Sequence, residues 1–445
     1  MSSFTRRALI AGAAAVALAG TAAAQLLPPL PVPALPPVGA PIGNVPIVGP
    51  LLGDLLARPE TQQVVQPTLD TVAGLPPAVA QAGASTLLEL RRLRLSKLIG
   101  EYPRELEADG QGQPVRRGVL VIADPDTASL QRAVGAGFRI VAEQGEPTLG
   151  IRIVTLSVPR GMSARAGLKR LRSVAPALDA DYDHVFEPAG GALASVAGTL
   201  ATAAAGSSGP RIGIIDGGVA SHPSLAGASI EQNGFAGKPQ PTGHGTAVAS
   251  LLVGSEGPFR GAARGASVLV ADVYGGSRAA GSASSIVRAL GWLAAERSQV
   301  INISLVGPQN RLVQRAVDAV RRRGIQIVAA VGNDGPAAPP QYPASYPGVV
   351  AVTGVDAGGR ALPEAGRAAH LDFAAPGADM AAALPGRGYA KVRGTSFAAP
   401  LAAARLALAG SVQRLVGEAR PGRGRVGRGI VCRDCRVAPR LVAAK

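Results

Sequence analysis

A short apolar segment near the middle of the chain, Arg211 to Asp216, ends in a carboxylate. Ile212 to Ile215 carries no charged side chain, which is typical of a strand buried on both faces of a parallel sheet. Ligands and reactive groups in open α/β sheets collect beyond the carboxyl ends of the strands. The segment therefore predicts an α/β fold and makes Asp216 a candidate site residue.

Two later segments present reactive side chains where helical patterns begin. His244 stands between two glycines ahead of an apolar helix, and Ser396 opens a second one. A hydroxyl nucleophile needs an imidazole to take its proton and a carboxylate to orient that imidazole, and Ser396, His244 and Asp216 supply these groups. Asn333, which follows the strand-like segment 325–331, adds an amide that can stabilise an oxyanion. Together they predict nucleophilic catalysis.

In motif, spacing and order these segments resemble the subtilisin-like serine protease family, over about residues 210 to 410. The resemblance implies a mostly parallel sheet with helices on both faces, and a serine endopeptidase that hydrolyses polypeptides through an acyl-enzyme. It also implies roles. Asp216 orients His244, His244 is the general base and acid, Ser396 is the nucleophile, and the Asn333 amide joins the Ser396 backbone N–H as the oxyanion hole.

The resemblance further implies a substrate cleft that departs from the family pattern. Where the family usually has Ser-Leu-Gly-Gly, this chain has Val306 in place of the first Gly, which narrows one edge of the cleft. Gln341 stands where the family often has Gly at the base of the primary pocket, and Asp334 follows Asn333, so a shortened or polar pocket is implied. The implied substrate-binding residues are Ser304, Leu305, Val306, Ala330, Gly332 and Gln341.

Short segments of alternating type between Pro114 and Pro188 predict the order βαββαβ, a ferredoxin-like α+β unit. The family resemblance implies that residues 115–188 are a prodomain, the enzyme's own intramolecular inhibitor, which self-cleavage removes. Residues 189–209 are almost all small and predict a flexible linker that is open to proteolysis. The catalytic domain is then expected at 210–411.

Residues 1–24 have the form of a secretion signal, with paired arginines, an apolar run and a small-residue cleavage site. The paired arginines fit both Sec and twin-arginine export. We therefore expect a secreted or periplasmic protein, in contact with a membrane only through this segment if it is uncleaved. Residues 25–84 are rich in proline and predict an extended spacer. Residues 85–110 predict an amphipathic helix that packs on a neighbouring domain or, alternatively, on a membrane surface.

The composition limits the partners. The chain has 445 residues, with 45 Lys and Arg against 29 Asp and Glu, yet only 3% are aromatic. Few rings are therefore available for bases to stack on, and we expect no nucleic-acid partner. Two cysteines exclude a disulfide-built fold and a four-thiolate zinc site, while Cys432 and Cys435 predict a local disulfide after export. Residues 412–445 predict a solvated basic tail.

No loop is rich enough in oxygen ligands for us to assign calcium, although calcium sites are frequent in the family. We expect no cofactor, no assigned metal and a monomeric chain. An esterase or lipase would carry Gly-x-Ser-x-Gly and the triad order Ser, Asp, His, which the order Asp216, His244, Ser396 opposes. The other alternative, an inactive protease-like binding module of the cell envelope, would normally lack a triad member or the oxyanion amide, and none is missing.

Overall fold

The computed structural model describes residues 84–189, 198–201, 209–386 and 388–442. All of them belong to one of the chain's two units, Pro59–Lys445. The signal predicted for residues 1–24 lies outside the described residues, and so does the spacer predicted for 25–84, apart from its last residue.

The first helix, α1, runs from Ala84 to Glu101. Pro103 follows two residues later, and its fixed φ and missing N–H oppose continuation of the helix. The predicted range of 85–110 was therefore too long at its end. Instead, the strand β1 (Leu106–Ala108) pairs antiparallel with the start of the next strand.

A ferredoxin-like unit follows α1, as the alternating segments predicted. Its strands pair only antiparallel, in the order β5-β2-β4-β3, and Asp126 and Ser163 cap its two helices by accepting backbone N–H groups. The unit comprises β2 (Pro114–Ala123), α2 (Thr127–Gly135), β3 (Arg139–Glu146), β4 (Ile151–Ser157), α3 (Ala164–Val174) and β5 (Ala180–His184).

The described residues from Gly209 onward form a larger α/β domain. Its elements, with the strand β6 that precedes it, are β6 (Glu187–Pro188), β7 (Arg211–Asp216), β8 (Gly218–Val219), β9 (Ser229–Gly234), β10 (Pro241–Thr242), α4 (Gly243–Val253), β11 (Ser255–Glu256), β12 (Phe259–Arg260), β13 (Ser267–Asp272), α5 (Ala283–Ala295), β14 (Val300–Ile303), β15 (Leu305–Val306), α6 (Arg311–Arg322), β16 (Gln326–Ala330), β17 (Val350–Val355), β18 (Phe373–Pro376), β19 (Met380–Leu384), β20 (Gly388–Val392), α7 (Thr395–Ala409) and α8 (Val412–Glu418).

Seven strands of this domain form one sheet, in the order β18-β17-β16-β14-β7-β13-β9, and every neighbouring pair is parallel. Successive side chains of a strand point to opposite faces. Accordingly, Ile215 and Ile301 pack with α5 and α6, whereas Ile214 packs with α4 and Val300 with α7. These contacts confirm the predicted mostly parallel sheet with helices on both faces.

The described residues of the predicted linker, 189–209, include some that pack on the α/β domain, and the linker itself stays a prediction. Ala189 is buried, and residues 198–201 lie against the α/β domain, where Leu200 forms a bridge with Ala220. Ala201 is also buried and donates its N–H to the carbonyl of Val219 at 3.0 Å. Small side chains let these backbone groups approach the domain closely, so the composition that suggested flexibility also permits packing.

The tail predicted to be solvated, residues 412–445, is exposed at 421–425 but buried at 429–432. Ile430 is fully buried, and both backbone polar groups of Ala374 in β18 form hydrogen bonds with the tail. The Ala374 N–H donates to Gly429 at 2.9 Å, and the Ala374 carbonyl accepts from Val431 at 2.8 Å. The tail arginines other than Arg436 remain exposed, while the backbone packs at 429–432. The predicted disulfide between Cys432 and Cys435 is present, which confirms that expectation.

Among the described residues, no single helix is long and apolar enough to cross a membrane. The helices α7 and α8 reach the required length and composition only as a pair, and they bend by 112° where they meet. Most of α7 is buried inside the domain, including Leu401 and Leu406.

We expect Ile430→Ala to destabilise the protein by about 2–5 kcal/mol, because it removes a fully buried side chain from the contact between the tail and β18. Thermal unfolding of the two proteins measures the difference. Val416→Ala is the matched control, since Val416 lies in the same tail but is 38% exposed. Equal melting temperatures for wild type and Ile430→Ala would show that the tail adds nothing to the fold.

Candidate functional site

The site begins where β7 ends. Asp216 is the last residue of β7, and the parallel register sets it beside Asp272, the last residue of β13. The helix α4 starts close by, with the Thr242 hydroxyl accepting the N–H of Gly245 at 3.0 Å as its cap. His244 is thereby held in the first turn of α4, beside the carboxyl end of β7.

Asp216 and His244 form a buried pair. His244 Nδ1 lies 2.9 Å from Asp216 Oδ1 and 2.8 Å from Oδ2, and neither side chain has any exposed surface. The Gly217 N–H also donates to Asp216 Oδ1 at 2.7 Å. With Nδ1 donating to the carboxylate, Nε2 is left to exchange a proton.

Ser396 is the second residue of α7 and is also fully buried. Among the described residues, neither Ser396 Oγ nor His244 Nε2 has a hydrogen-bond partner. The structure therefore joins Asp216 to His244 directly but leaves the hydroxyl and the imidazole unpaired. Such contacts often tighten only when substrate binds.

Asn333 is oriented by the residue that precedes the candidate nucleophile. Its Oδ1 accepts the N–H of Thr395 at 3.0 Å, so its Nδ2 points away from the helix and donates to the carbonyl of Ala189. The Thr395 hydroxyl also accepts the N–H of Gly332 at 3.1 Å. Sequence reasoning missed this role of Thr395, although its position directly before Ser396 was a signal for it.

The chain's own backbone occupies the cleft beside these residues. Strand β6 pairs antiparallel with β15, with Pro188 opposite Leu305 and Glu187 opposite Val306. The N–H of Ala189 then donates to the carbonyl of Ser304 at 2.8 Å. Residues 187–189 therefore lie in the cleft as an added strand, in the manner of a bound peptide.

The side chain of Ala189 is buried among apolar residues. It is only 3% exposed and belongs to the same buried cluster as Val306 and Ala330. A Cβ placed on Gly332 would lie 3.2 Å from Val306 and 3.4 Å from Gln341, so these three residues converge. The structure thus pairs Ser304, Leu305 and Val306 with the segment that ends at Ala189, and brings Gly332 and Gln341 close to Val306.

Asp272 is a second carboxylate at this edge of the sheet, and sequence reasoning missed it. Burial raises its pKa, and the neighbouring charge of Asp216 adds to that effect. Backbone N–H groups of Gln240, Tyr274 and Gly275 donate to its oxygens and oppose the shift. The apolar run of β13 that ends in a carboxylate repeats the pattern of β7, and this repetition was the available signal.

Asp334, from which the family resemblance implied a polar primary pocket, is held by two arginines of α1. It is buried, and its two oxygens accept from Arg91 and Arg94 of α1. This contact joins residues that are more than 200 positions apart in the chain, and sequence reasoning did not find it.

Within the described ranges, no group of three or more His, Cys, Asp or Glu side chains is arranged to hold a metal ion. The expectation that the protein works without a cofactor or an assigned metal stays a prediction.

Comparisons with known proteins locate the similarity in the α/β domain. A model of the subtilase family matches residues 207–416. Subtilisin Savinase from Lederbergia lenta is 34% identical over 210 residues, which are 45% of this chain and 76% of that protein. The alkaline protease of Alkalihalobacillus alcalophilus is also 34% identical over 210 residues, but the chain spans only 54% of its length.

A solved structure extends the likeness in fold. Fervidolysin from Fervidobacterium pennivorans, described as a keratinolytic enzyme related to subtilisin, superposes with a TM-score of 0.59 at 18% sequence identity. The superposition covers 74% of this chain and 61% of the other. That share of this chain is larger than residues 207–416 alone make up, so the likeness in fold reaches beyond the α/β domain.

We expect Gly245→Ala to lower the melting temperature and to disturb the pair formed by His244 and Asp216. An added Cβ would lie 2.3 Å from the carbonyl oxygen of Gly217, which a real Cβ cannot tolerate. Thermal unfolding measures the loss, and the NMR signal of the His244 Nδ1 proton reports on the pair. Gly417→Ala is the control, because nothing lies within 4 Å of its added Cβ. An equal effect from the two substitutions would contradict this explanation.

Proposed function

The chain belongs to the subtilase family of serine proteases, and on that premise we propose that it is exported as a precursor which cuts itself and then hydrolyses other polypeptides. Asp216, His244 and Ser396 are the proposed triad. The observation that carries the proposal is the position of Ala189, whose carbonyl accepts from Asn333 Nδ2 beside the proposed nucleophile.

The reaction starts when Ser396 Oγ attacks the carbonyl carbon of Ala189 and its proton passes to His244 Nε2. The carbonyl oxygen becomes an oxyanion, which accepts from Asn333 Nδ2 and from the Ser396 backbone N–H. The bond from the Ala189 carbonyl carbon to the nitrogen of Gly190 then breaks, and His244 gives its proton to that nitrogen. Water, deprotonated by His244, hydrolyses the resulting ester and restores the Ser396 hydroxyl.

Peptide hydrolysis of this kind needs no metal or cofactor, and we propose that the enzyme acts without one. The pairing of β6 with β15 supports a second part of the proposal, that the residues up to Ala189 remain in the cleft as a product-like inhibitor after the cut. The ferredoxin-like unit is directly continuous with this strand and would hold it in the cleft.

Two features support export. The signal-like residues 1–24 begin the chain, and Cys432 is joined to Cys435 by a disulfide. Disulfides persist in oxidising compartments and are rare in the cytosol. We therefore propose a secreted or periplasmic enzyme.

We expect Ser396→Ala protein to remain an uncut precursor, while wild-type protein acquires a new N-terminus at Gly190. Loss of the nucleophile should lower the rate of cutting on the order of 10⁶-fold. Intact mass and N-terminal sequencing of the purified proteins measure both results. A serine-directed phosphonate should label the mature wild-type enzyme at Ser396.

The matched control is Ser255→Ala, which changes an exposed serine of the same domain and should be cut like wild type. Cutting of the Ser396→Ala precursor at the wild-type rate would refute the triad. A mature N-terminus upstream of Val115 would refute the assigned bond. If wild-type protein neither cut itself nor took up the phosphonate, the binding-module alternative would replace the enzyme.

We expect the mature enzyme to cleave after small or medium side chains, because Val306 and Gln341 close in on Gly332, and Val306 shares a buried cluster with the side chain of Ala189. A filled pocket cannot take up a large ring without strain. Gln341→Gly should raise cleavage after Phe or Tyr relative to cleavage after Ala, by about 1–3 kcal/mol in transition-state binding. A peptide library with varied residues before the cut measures the ratio.

The control for this change is Gln413→Ala, at an exposed position of α8, which should leave the ratio unchanged. If the wild-type enzyme already favours Phe and Tyr, and Gln341→Gly does not alter that preference, Gln341 is not part of the pocket.

A further inference from the structure

The helix α1 lies across the cleft and touches both of its rims. On one rim, a Cβ added to Gly335 would meet the side chain of Leu87 at 2.7 Å. On the other rim, Leu98 packs in one buried cluster with Ala279 and with Val185, just before the strand in the cleft. Because α1 is anchored at both ends, it spans the segment that ends at Ala189.

A buried ion-pair cluster fixes α1 to the rim that carries the oxyanion residue. Arg91 Nε lies 3.0 Å from Asp334 Oδ2, and Arg94 Nη1 lies 2.9 Å from Asp334 Oδ1. Arg91 and Asp334 are less than a tenth exposed, and Arg91 Nη2 also donates to Gln113 at 2.8 Å. Buried charges are costly without a partner, so each member of the cluster depends on the others.

The same helix also holds the strand inside the cleft. Arg94 Nε lies 3.2 Å from Glu187 Oε2, and Arg278 lies 3.5 Å from Glu187 Oε1 on the other side. Arg278 additionally reaches Glu101 at the end of α1, at 3.5 Å. Arg94 therefore connects the strand in the cleft to Asp334, and Arg278 connects the strand to the opposite rim.

The contacts of α1 come from one helical face. The contacting residues of α1 are related by steps of three or four positions, which is the spacing of one side of a helix. They are Leu87, Arg91, Arg94, Leu95 and Leu98. The arginines of this face are part of the contact with the protease, rather than of a solvated surface.

We propose that α1 is an inhibitory strap, and that Asp334, Gly335, Arg278 and Ala279 form its docking surface on the catalytic domain. This inference rests on the proposed self-cleavage after Ala189. Once the bond is cut, the pairing of β6 with β15 is a short contact, and linking it to a second contact makes rebinding intramolecular. The cut precursor therefore stays inactive until the strap detaches.

The test follows two events in the full-length precursor, the appearance of the Gly190 N-terminus and the appearance of activity on a short chromogenic peptide. Wild-type protein should show a lag between them. The double variant Arg91→Ala/Arg94→Ala should shorten that lag about tenfold or more, because removal of buried charge partners speeds dissociation. The mature enzymes made from the wild-type and variant precursors are identical in sequence, because α1 is removed. The variants therefore differ only in how fast α1 is released from the catalytic domain.

Arg92→Ala is the matched control, because Arg92 lies in the same helix with its side chain 66% exposed, and among the described residues it forms an ion pair only with Glu89 of α1. It should keep the wild-type lag. If the double variant does not fold, Arg94→Ala alone replaces it, since the Arg94 side chain is 30% exposed, and it should also shorten the lag.

The strap is refuted if wild-type protein gains activity as soon as it is cut, if the arginine variants keep the wild-type lag, or if Arg92→Ala shortens the lag equally. A precursor that never cuts itself is a separate outcome. It overturns the proposed function, and the strap with it.

Discussion

The Asp216 carboxylate is fully buried, so the surrounding structure must supply the hydrogen bonds that water would otherwise give it. A charge with no exposure to water is stable only when hydrogen bonds replace its lost hydration. Here His244 Nδ1 and the Gly217 N–H provide them. The His244 donor requires the start of α4 to approach the end of β7 closely, which is why Gly245 tolerates no side chain.

What the sequence could predict was local. Each local signal lies within about ten residues. These signals are the apolar run of β7, the glycines around His244 and the helical pattern at Ser396. The predicted α/β sheet is confirmed. The alternating segments between Pro114 and Pro188 also correspond to the strands and helices observed there. The triad stays a prediction, because contact between Asp216 and His244 does not by itself demonstrate catalysis. The domain division also stays a prediction.

What the sequence could not predict was contact between distant segments. Composition marked Ala189 as the start of a linker, yet its backbone adds to β15 because small residues fit a narrow cleft edge. Arg91 and Arg94 belong to the predicted amphipathic helix, and only the fold brings Asp334 to them. Composition describes the average environment of a residue, whereas these contacts depend on the path of the whole chain.

The hydrogen bonds between the tail and Ala374 also affect association between molecules. β18 is the outermost strand on its side of the parallel sheet, and an uncovered edge of this kind offers backbone groups to strands of other molecules. Residues 429–431 satisfy those groups at Ala374, and the Cys432–Cys435 disulfide restricts the chain just beyond them. The tail therefore acts as a cover against edge-to-edge aggregation, and a chain shortened before Gly429 would expose this side of the sheet to its neighbours.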